Sequence, residues 1–324
     1  MKKPILISGT QPDGRLHLGN YLGAIKNWVK LQNSGKYECY FMVVDYHSLT
    51  VDFEPANKKN EIYGIIKAYL AAGIDPKKSK IFIQSHIPEC AELAWILNTI
   101  ASLGELERMT QFKDKSESDK QNINAGLLTY PILMAADILL YDAQFVPVGE
   151  DQLQHLEFAR ALVRKFNNKF GKTFIEPQAI LSKASRVMSL DNPGKKMSKS
   201  HPNTCLFLDD SPEEIEKKIK HAVTDSGSGI KYDPENKPGI SNLLTIYSEL
   251  SEKPTKELEK MYQGKGYGEF KSNLAKIVIS SLKPFREIKA SEKKMKDIVD
   301  VGQKNAKKIA SAKIKEVKKK IGLL

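Results

Sequence analysis

Cysteine is scarce in this chain. Three stand in 324 residues, Cys39, Cys90 and Cys205, separated by 51 and 115 positions. That spacing suits neither a disulfide framework nor a zinc site, and it is the usage of a reducing compartment. Long apolar runs are missing as well. No stretch approaches the ~18 consecutive apolar residues of a membrane-spanning helix, so no membrane partner is expected. The opening MKKPILISGTQPDG has only a short apolar run before glycine and proline, too short for the core of a signal peptide, and a cytoplasmic location is expected. Arginine is rare, six residues against 45 lysines. What remains is an ordinary globular composition, 41% hydrophobic and 28% charged, which excludes a wholly disordered chain. At ~100–200 residues per domain the length suggests two domains, with one large domain possible.

The formal net charge of +12 is unevenly spread. Residues 252–324 carry 20 Lys and Arg against 9 Asp and Glu, whereas the rest of the chain is almost balanced. A basic final quarter on a near-neutral body fits a polyanionic partner such as nucleic acid. Solvated lysine-rich helix faces account for the same composition, and charge alone leaves both readings open.

The hydrophobic pattern alternates. A buried strand is expected at Pro4–Ser8, followed by Gly9, Gly14 and Gly19 and then a helical period through Tyr21, Leu22, Ile25, Trp28, Val29 and Leu31. Further strands are expected at Glu38–Val44, Lys80–Gln84 and Gln144–Val148, the first of these ending in the polar trio Asp45, Tyr46 and His47. Helices are expected between them, at about 57–72, 90–103, 129–141 and from Gly149-Glu-Asp-Gln152 to Phe166. Such alternation predicts an α/β fold, a doubly wound parallel sheet covered on both faces. After about residue 205 the strand signals fade. Segments near 212–223, 241–251, 254–263, 267–281 and 291–320 read as helices, the first opened by Ser211 as N-cap and Pro212 at the first helical position. The expected division is an α/β domain over 1–205 and an all-helical domain over 206–324. Thr110–Asn124, nearly devoid of apolar residues, reads as a mobile surface loop.

Two segments carry phosphate chemistry. Gly9-Thr-Gln-Pro-Asp-Gly-Arg-Leu-His-Leu-Gly-Asn20 follows a strand and opens a helix, where backbone N–H groups face a bound anion. Its glycine spacing is neither the dinucleotide fingerprint nor the P-loop. Lys195-Lys-Met-Ser-Lys-Ser200 lies in a loop set by Pro193, Gly194 and Pro202, and its lysines and hydroxyls are suited to phosphate oxygens. Each alone is also compatible with an ordinary solvated loop.

Together the two segments resemble the signature pair of class I aminoacyl-tRNA synthetases. His17-Leu-Gly-Asn20 is a variant of the HIGH motif, with Asn in the last place, and Lys196-Met-Ser-Lys-Ser200 matches the KMSKS motif without change. Gly104-Glu-Leu-Glu-Arg-Met-Thr-Gln-Phe112, Gly126-Leu-Leu-Thr-Tyr-Pro131, Met134-Ala-Ala-Asp-Ile-Leu-Leu-Tyr141, Val146-Pro-Val-Gly-Glu-Asp-Gln-Leu-Gln-His155, Ala222-Val-Thr-Asp-Ser226 and Lys237-Pro-Gly-Ile-Ser-Asn-Leu-Leu244 extend the likeness over essentially the whole chain, to the bacterial tryptophanyl-tRNA synthetases. The resemblance implies a Rossmann-like catalytic domain and a helical domain that binds the tRNA anticodon, its last helix packing back on the catalytic domain. It implies that ATP and L-tryptophan form tryptophanyl-adenylate and pyrophosphate, and that tRNA(Trp) accepts the tryptophanyl group. A homodimer is implied too.

The chemistry fits the composition of these loops. The attacking carboxylate is already ionised at pH 7, so no general base is required, and the remaining work is positioning and charge stabilisation. The resemblance assigns ATP contacts to Gln11, Pro12, Asp13, Gly19, Asn20, Gly149, Glu150, Asp151, Val187, Lys196, Met197, Ser198, Lys199 and Ser200. A side chain at Gly19 would obstruct the base, and Val187 would offer backbone groups to adenine. His17 would face the phosphates, and Lys196 and Lys199 would neutralise the leaving pyrophosphate, with Lys113 and Lys115 closing over it or simply solvated. Mg²⁺ is expected to travel with ATP, held by phosphates and water, and no residue spacing predicts a protein metal site.

Asp137 is the expected reader of the substrate ring. It interrupts an otherwise apolar helix, and an indole has one N–H donor and no acceptor, matching an acceptor-only carboxylate. An internal cap or a salt bridge to lysine or arginine is the alternative. Met134, Val146 and Val148 are expected to line the ring pocket, and His47, Tyr130 and Gln152 to meet the ammonium and carboxylate end. The sequence departs from the family's pattern at Ile7, where an aromatic residue is frequent. Two other readings remain: a tyrosine-activating relative on the same scaffold, and a non-catalytic RNA-binding or regulatory paralogue.

Overall fold

The computed structural model describes residues 3–110, 124–181, 186–225, 227 and 229–324. Five strands, β1 (Ile5–Thr10), β2 (Glu38–Val43), β3 (Ser79–Ile83), β4 (Phe145–Val148) and β5 (Gln178–Leu181), form one sheet in the order β3-β2-β1-β4-β5, every pair parallel. The order reverses at β1, which makes the carboxyl ends of β1 and β4 the topological switch point where open α/β sheets bind ligands. There β1 and β4 share only the Leu6–Phe145 pair before they diverge.

Helices cover both faces. The first, α1, runs as Leu18–Asn20, a π-wound turn Tyr21–Ile25 and Lys26–Asn33. It is followed by α2 (Pro55–Ala72), α3 (Glu89–Asn98), α4 (Leu103–Glu107), α5 (Ala125–Leu139) and α6 (Leu153–Phe170). The later helices are α7 (Pro212–His221), α8 (Pro238–Ser251), α9 (Thr255–Met261), α10 (Tyr267–Glu287) and α11 (Glu292–Lys320). At α7 the Ser211 side chain accepts from the Glu214 N–H while Glu214 accepts from the Ser211 N–H, a capping box of the kind that Ser-Pro-Glu-Glu encodes.

Alternate strand residues feed two cores, as in strands buried on both faces. Leu6, Phe41, Val43 and Ile81 pack with α1, α2, α7, α8 and α10, and Ile7, Tyr40, Met42 and Phe82 pack with α3, α5 and α6. Helix α11 joins both. Met295 and Val299 lie in the first core and Ala306, Ala310, Ile314 and Val317 in the second, so the helix rounds the sheet at edge strand β3. Gly302 makes the crossing, and a Cβ there would lie 1.9 Å from the Ile81 carbonyl oxygen. Covering β3 in this way removes an exposed pairing edge.

Three local expectations change. β5 escaped the hydrophobic pattern because it is four residues long and none of its side chains is fully buried. The single helix expected over 90–103 is two, α3 and α4. Helix α5 begins earlier than 129, at the Asn124 cap, whose side chain accepts from the Leu127 N–H at 2.9 Å. Residues 111–123, including Lys113 and Lys115, lie outside the described residues.

Candidate active site

Two cavities open at the switch point. One, of about 330 Å³, is bounded by β1, β2, β4 and α5. All seven residues expected around the amino-acid substrate line it: His47, Tyr130, Met134, Asp137, Val146, Val148 and Gln152. Ile7 lies in its wall, so the departure from an aromatic residue falls on the cavity itself. Strand ends supply the apolar wall because β1 and β4 splay where Val146 and Val148 face inward.

Asp137, 3% exposed, is the one carboxylate among the described residues of this lining. Neither a helix cap nor a lysine or arginine partner accounts for it. The Gln84 side-chain amide donates to both its oxygens at 2.7 and 2.8 Å, the Cys90 thiol lies 2.9 Å from Oδ1, and His47 Nε2 lies 2.8 Å from Oδ2. His47 was expected at the ammonium and carboxylate end, yet its ring is bonded to Asp137. Tyr130 places its hydroxyl 2.7 Å from His155 Nε2, and burial pushes the Tyr130 phenol well above its ordinary range. His155, with no metal spacing in sequence, is a buried partner of that hydroxyl.

The second cavity, of about 480 Å³, is lined by Thr10, Gln11, Asp13, His17, Asn20, Lys58, Ser198, Lys199 and Ser200 among others. Gln11 borders both cavities and donates to the His47 carbonyl at 3.2 Å. His17 caps α1, its Nδ1 accepting from the Gly19 N–H at 3.1 Å while the Asn20 side chain accepts from the His17 N–H at 3.0 Å. Burial, reinforced by Lys199 and opposed by Asp13, lowers the His17 pKa to about 4. The ring is therefore neutral at pH 7, and with Nδ1 accepting, the proton sits on Nε2 as a donor. Gly19 answers first to this ring, since a Cβ would lie 2.9 Å from His17 Cε1 and only then reach Val187 at 3.8 Å.

The lysine-rich loop is sewn to its neighbours. Met197 donates to the Val187 carbonyl at 3.1 Å and Ser189 to the Lys195 carbonyl at 2.8 Å, so of the Val187 backbone groups expected at adenine the carbonyl is engaged within the loop. The chain that follows is tied to the first motif, the Leu18 N–H donating to the Leu206 carbonyl at 2.8 Å and the Leu208 N–H to the Leu16 carbonyl at 2.9 Å. Lys199 is paired with Asp13, and Lys196 lies 3.6 Å from Asp151; burial, the largest single effect, raises the Asp151 pKa, but Lys196 and hydrogen bonds from Gln152 and the Asp151 N–H together hold it below the usual carboxylate value. Glu150 lies 3.9 Å from Arg186. Gly149 borders the first cavity, whereas Pro12, Gly19, Glu150, Asp151, Val187 and Lys196 line neither. Pro12 is buried, its carbonyl accepting from Lys58 at 3.0 Å.

Sequence reasoning missed Gln84, Cys90 and Lys58. Gln84 was legible in principle, because it ends β3 at the same level as the polar trio ends β2. Among the described residues no group of three His, Cys, Asp or Glu side chains could hold a metal ion, and no helix is long and apolar enough to cross a membrane.

Comparison with known proteins places this arrangement. The family of class I tRNA synthetases for tryptophan and tyrosine, "tRNA synthetases class I (W and Y)", matches residues 1–283. A curated Tryptophan--tRNA ligase from Bacillus anthracis is 48% identical over 327 residues, covering 98% of each chain. Among solved structures, tryptophanyl-tRNA synthetase from Mycoplasma pneumoniae superposes with a TM-score of 0.91 at 35% identity, covering 99% of this chain and 98% of that one. The Campylobacter jejuni tryptophanyl-tRNA synthetase, complexed with ADP and tryptophan, gives 0.83 at 38% identity, covering 98% and 99%.

Proposed function

We propose that this chain, which belongs to the class I tRNA synthetases of the tryptophan and tyrosine type, is a tryptophan–tRNA ligase. One observation carries the reading: a buried acceptor, Asp137, stands in a cavity with an apolar wall of Ile7, Trp28, Met134, Val146 and Val148 that adjoins, through Gln11, a polar cavity edged by lysine and hydroxyl groups. The first suits an indole with a single N–H, the second a triphosphate. A substrate carboxylate at the junction attacks the α-phosphorus; its O–P bond forms as the bond to the β-phosphate oxygen breaks and pyrophosphate leaves. The adenylate then passes its acyl group to a hydroxyl of the terminal adenosine of tRNA(Trp), releasing AMP.

This chain's residues position and neutralise. Neutral His17 donates from Nε2 into the phosphate cavity. Lys199 exchanges Asp13 for the departing phosphates, and Lys196 does the same from Asp151; Lys113 and Lys115 are further candidates for that charge. Gln11, Asp13, Asn20, Ser198 and Ser200 hold the nucleotide, with Gly19 and Val187 against its base. Met134, Val146 and Val148 pack the indole ring, and Tyr130 and Gln152 meet the amino-acid end. Asp13, Glu61 and Asp151 are each paired with a lysine, and Mg²⁺ would be ligated by phosphate and water oxygens with no protein cage.

The chain is further proposed to divide at 205/206 into catalytic and tRNA-binding parts, to act in the cytoplasm and to work as a homodimer. Trp95 and Leu103 support the last, exposed at 71% and 59% on α3 and α4 where a second copy would bury them. Light scattering gives the mass in solution. The function itself is tested by ATP–pyrophosphate exchange with each amino acid in turn. Exchange with tryptophan alone is expected; exchange with tyrosine would transfer the chain to the other branch of its family, and none at all would leave a non-catalytic paralogue.

A further inference from the structure

A carboxylate offers about four lone-pair sites, and all four contacts of Asp137 are taken. Gln84 supplies two, Cys90 one and His47 one. The three partners are not equivalent. Gln84 and Cys90 are fully buried, and neither borders the cavity. Gln84 is also fixed in orientation, because its Oε1 accepts from the Tyr46 N–H at 3.0 Å, which turns the amide nitrogen to Asp137. Cys90, in the first turn of α3, is held as a neutral thiol by burial and by the Asp137 charge, so its S–H donates to Oδ1. His47 is different. It forms part of the cavity wall, and its side chain keeps 11% of its surface exposed.

A ring N–H arriving in the cavity therefore meets an acceptor with no vacant site. We infer that Gln84 and Cys90 are positioning residues for substrate selection, holding three of the four contacts of Asp137 so that the contact of His47 on Oδ2 is the one the indole N–H takes over. The inference rests on the tryptophan reading. Selection then becomes an exchange of donors on one oxygen. The two buried holders keep the carboxylate from turning to follow His47 as it leaves, and the acceptor stays aimed into the cavity. A ligand without the N–H cannot complete the exchange, and Oδ2 would be left with the Gln84 donor alone if His47 were pushed aside.

The test uses the whole chain and reads adenylate formation as ATP–pyrophosphate exchange. Two substrates are compared, tryptophan and β-(3-benzothienyl)alanine, in which sulfur replaces the ring N–H. The readout is the ratio of kcat/KM between them, which a loss common to both cancels. Cys90→Ala is expected to lower the preference for tryptophan about fivefold, and Cys90→Ser, which keeps a donor, to restore it. Gln84→Leu is expected to lower it about tenfold, since two contacts are lost together. His47→Leu should move the ratio the other way, because the competing donor is gone. Equal losses for both substrates in Cys90→Ala and Gln84→Leu would overturn the positioning role and leave these residues as packing. A fall of the ratio in His47→Leu would overturn the exchange. A parent protein that fails to activate tryptophan would instead sink the functional reading, so the two failures are distinct. Thermal unfolding of each variant identifies any that do not fold, and whichever of Cys90→Ala and Gln84→Leu folds, read beside His47→Leu, carries the test in that event.

Discussion

His17 should make the protein weaken in mild acid, by an amount that can be worked out. In the fold its pKa lies at about 4, lowered by burial first and by Lys199 second, whereas an unfolded histidine titrates near 6.5. Between these values the unfolded chain takes up a proton that the folded chain refuses. Stability contributed by neutral His17 is fully present above about pH 6.5 and is lost as pH falls toward 4. At pH 5 the loss is about 2 kcal/mol, and it approaches about 3 kcal/mol below pH 4. Replacing His17 by Asn keeps a side-chain acceptor for the Gly19 N–H at the start of α1 and removes the titrating group. Urea unfolding of parent and His17→Asn at pH 7.5 and pH 5 isolates the term. The variant should lose about 2 kcal/mol less than the parent over that interval. Identical losses would refute the neutral, buried imidazole and with it the assignment of Nε2 as a phosphate-facing donor.

Three other outcomes follow from single features. Gly302→Ala drives a Cβ into the Ile81 carbonyl and should destabilise by about 2–3 kcal/mol, whereas Gly64→Ala, in α2 with open space at its Cβ, should gain about 0.5–1 kcal/mol; thermal unfolding compares them. On the proposed role of Lys199 against the leaving pyrophosphate, Lys199→Ala should slow adenylate formation by about 3 kcal/mol equivalent and leave equilibrium tryptophan binding nearly unchanged. An unaltered pre-steady-state rate would remove Lys199 from that role. Neutralising Lys293, Lys294 and Lys296, all exposed at the start of α11, should flatten the salt dependence of tRNA binding if that helix meets phosphates. Equal slopes in variant and parent would assign those lysines to ordinary solvation.

Much of this architecture is legible in the residues. Alternating apolar strands and amphipathic helices foretell a parallel sheet, since strands buried on both faces and helices buried on one leave distinct periods. The Ser-Pro-Glu-Glu cap fixed the start of α7 because its signals are local. β5 is not legible, being short and half exposed, and its identity depends on pairing with β4. The course of α11 around β3 is equally hidden, for it rests on a contact between positions 81 and 302. At the site, Asp137 stands out as a charge in an apolar helix. Its partners do not, because Gln84 and Cys90 come from β3 and α3 and only folding brings them within 3 Å of the carboxylate. The same holds for the acid partners of Lys196 and Lys199, which the sequence presents as free phosphate binders and the fold presents already paired.

Charging of purified tRNA tests the central claim most directly. The chain, ATP, Mg²⁺ and each amino acid would be incubated with a tRNA(Trp) transcript and, separately, with a tRNA(Tyr) transcript, and the aminoacyl ester would be quantified by acid gel. A tryptophan–tRNA ligase esterifies tryptophan to tRNA(Trp) and leaves the other combinations bare. Tyrosine on tRNA(Tyr), or no ester on either transcript from protein that is folded and binds ATP, would contradict the account.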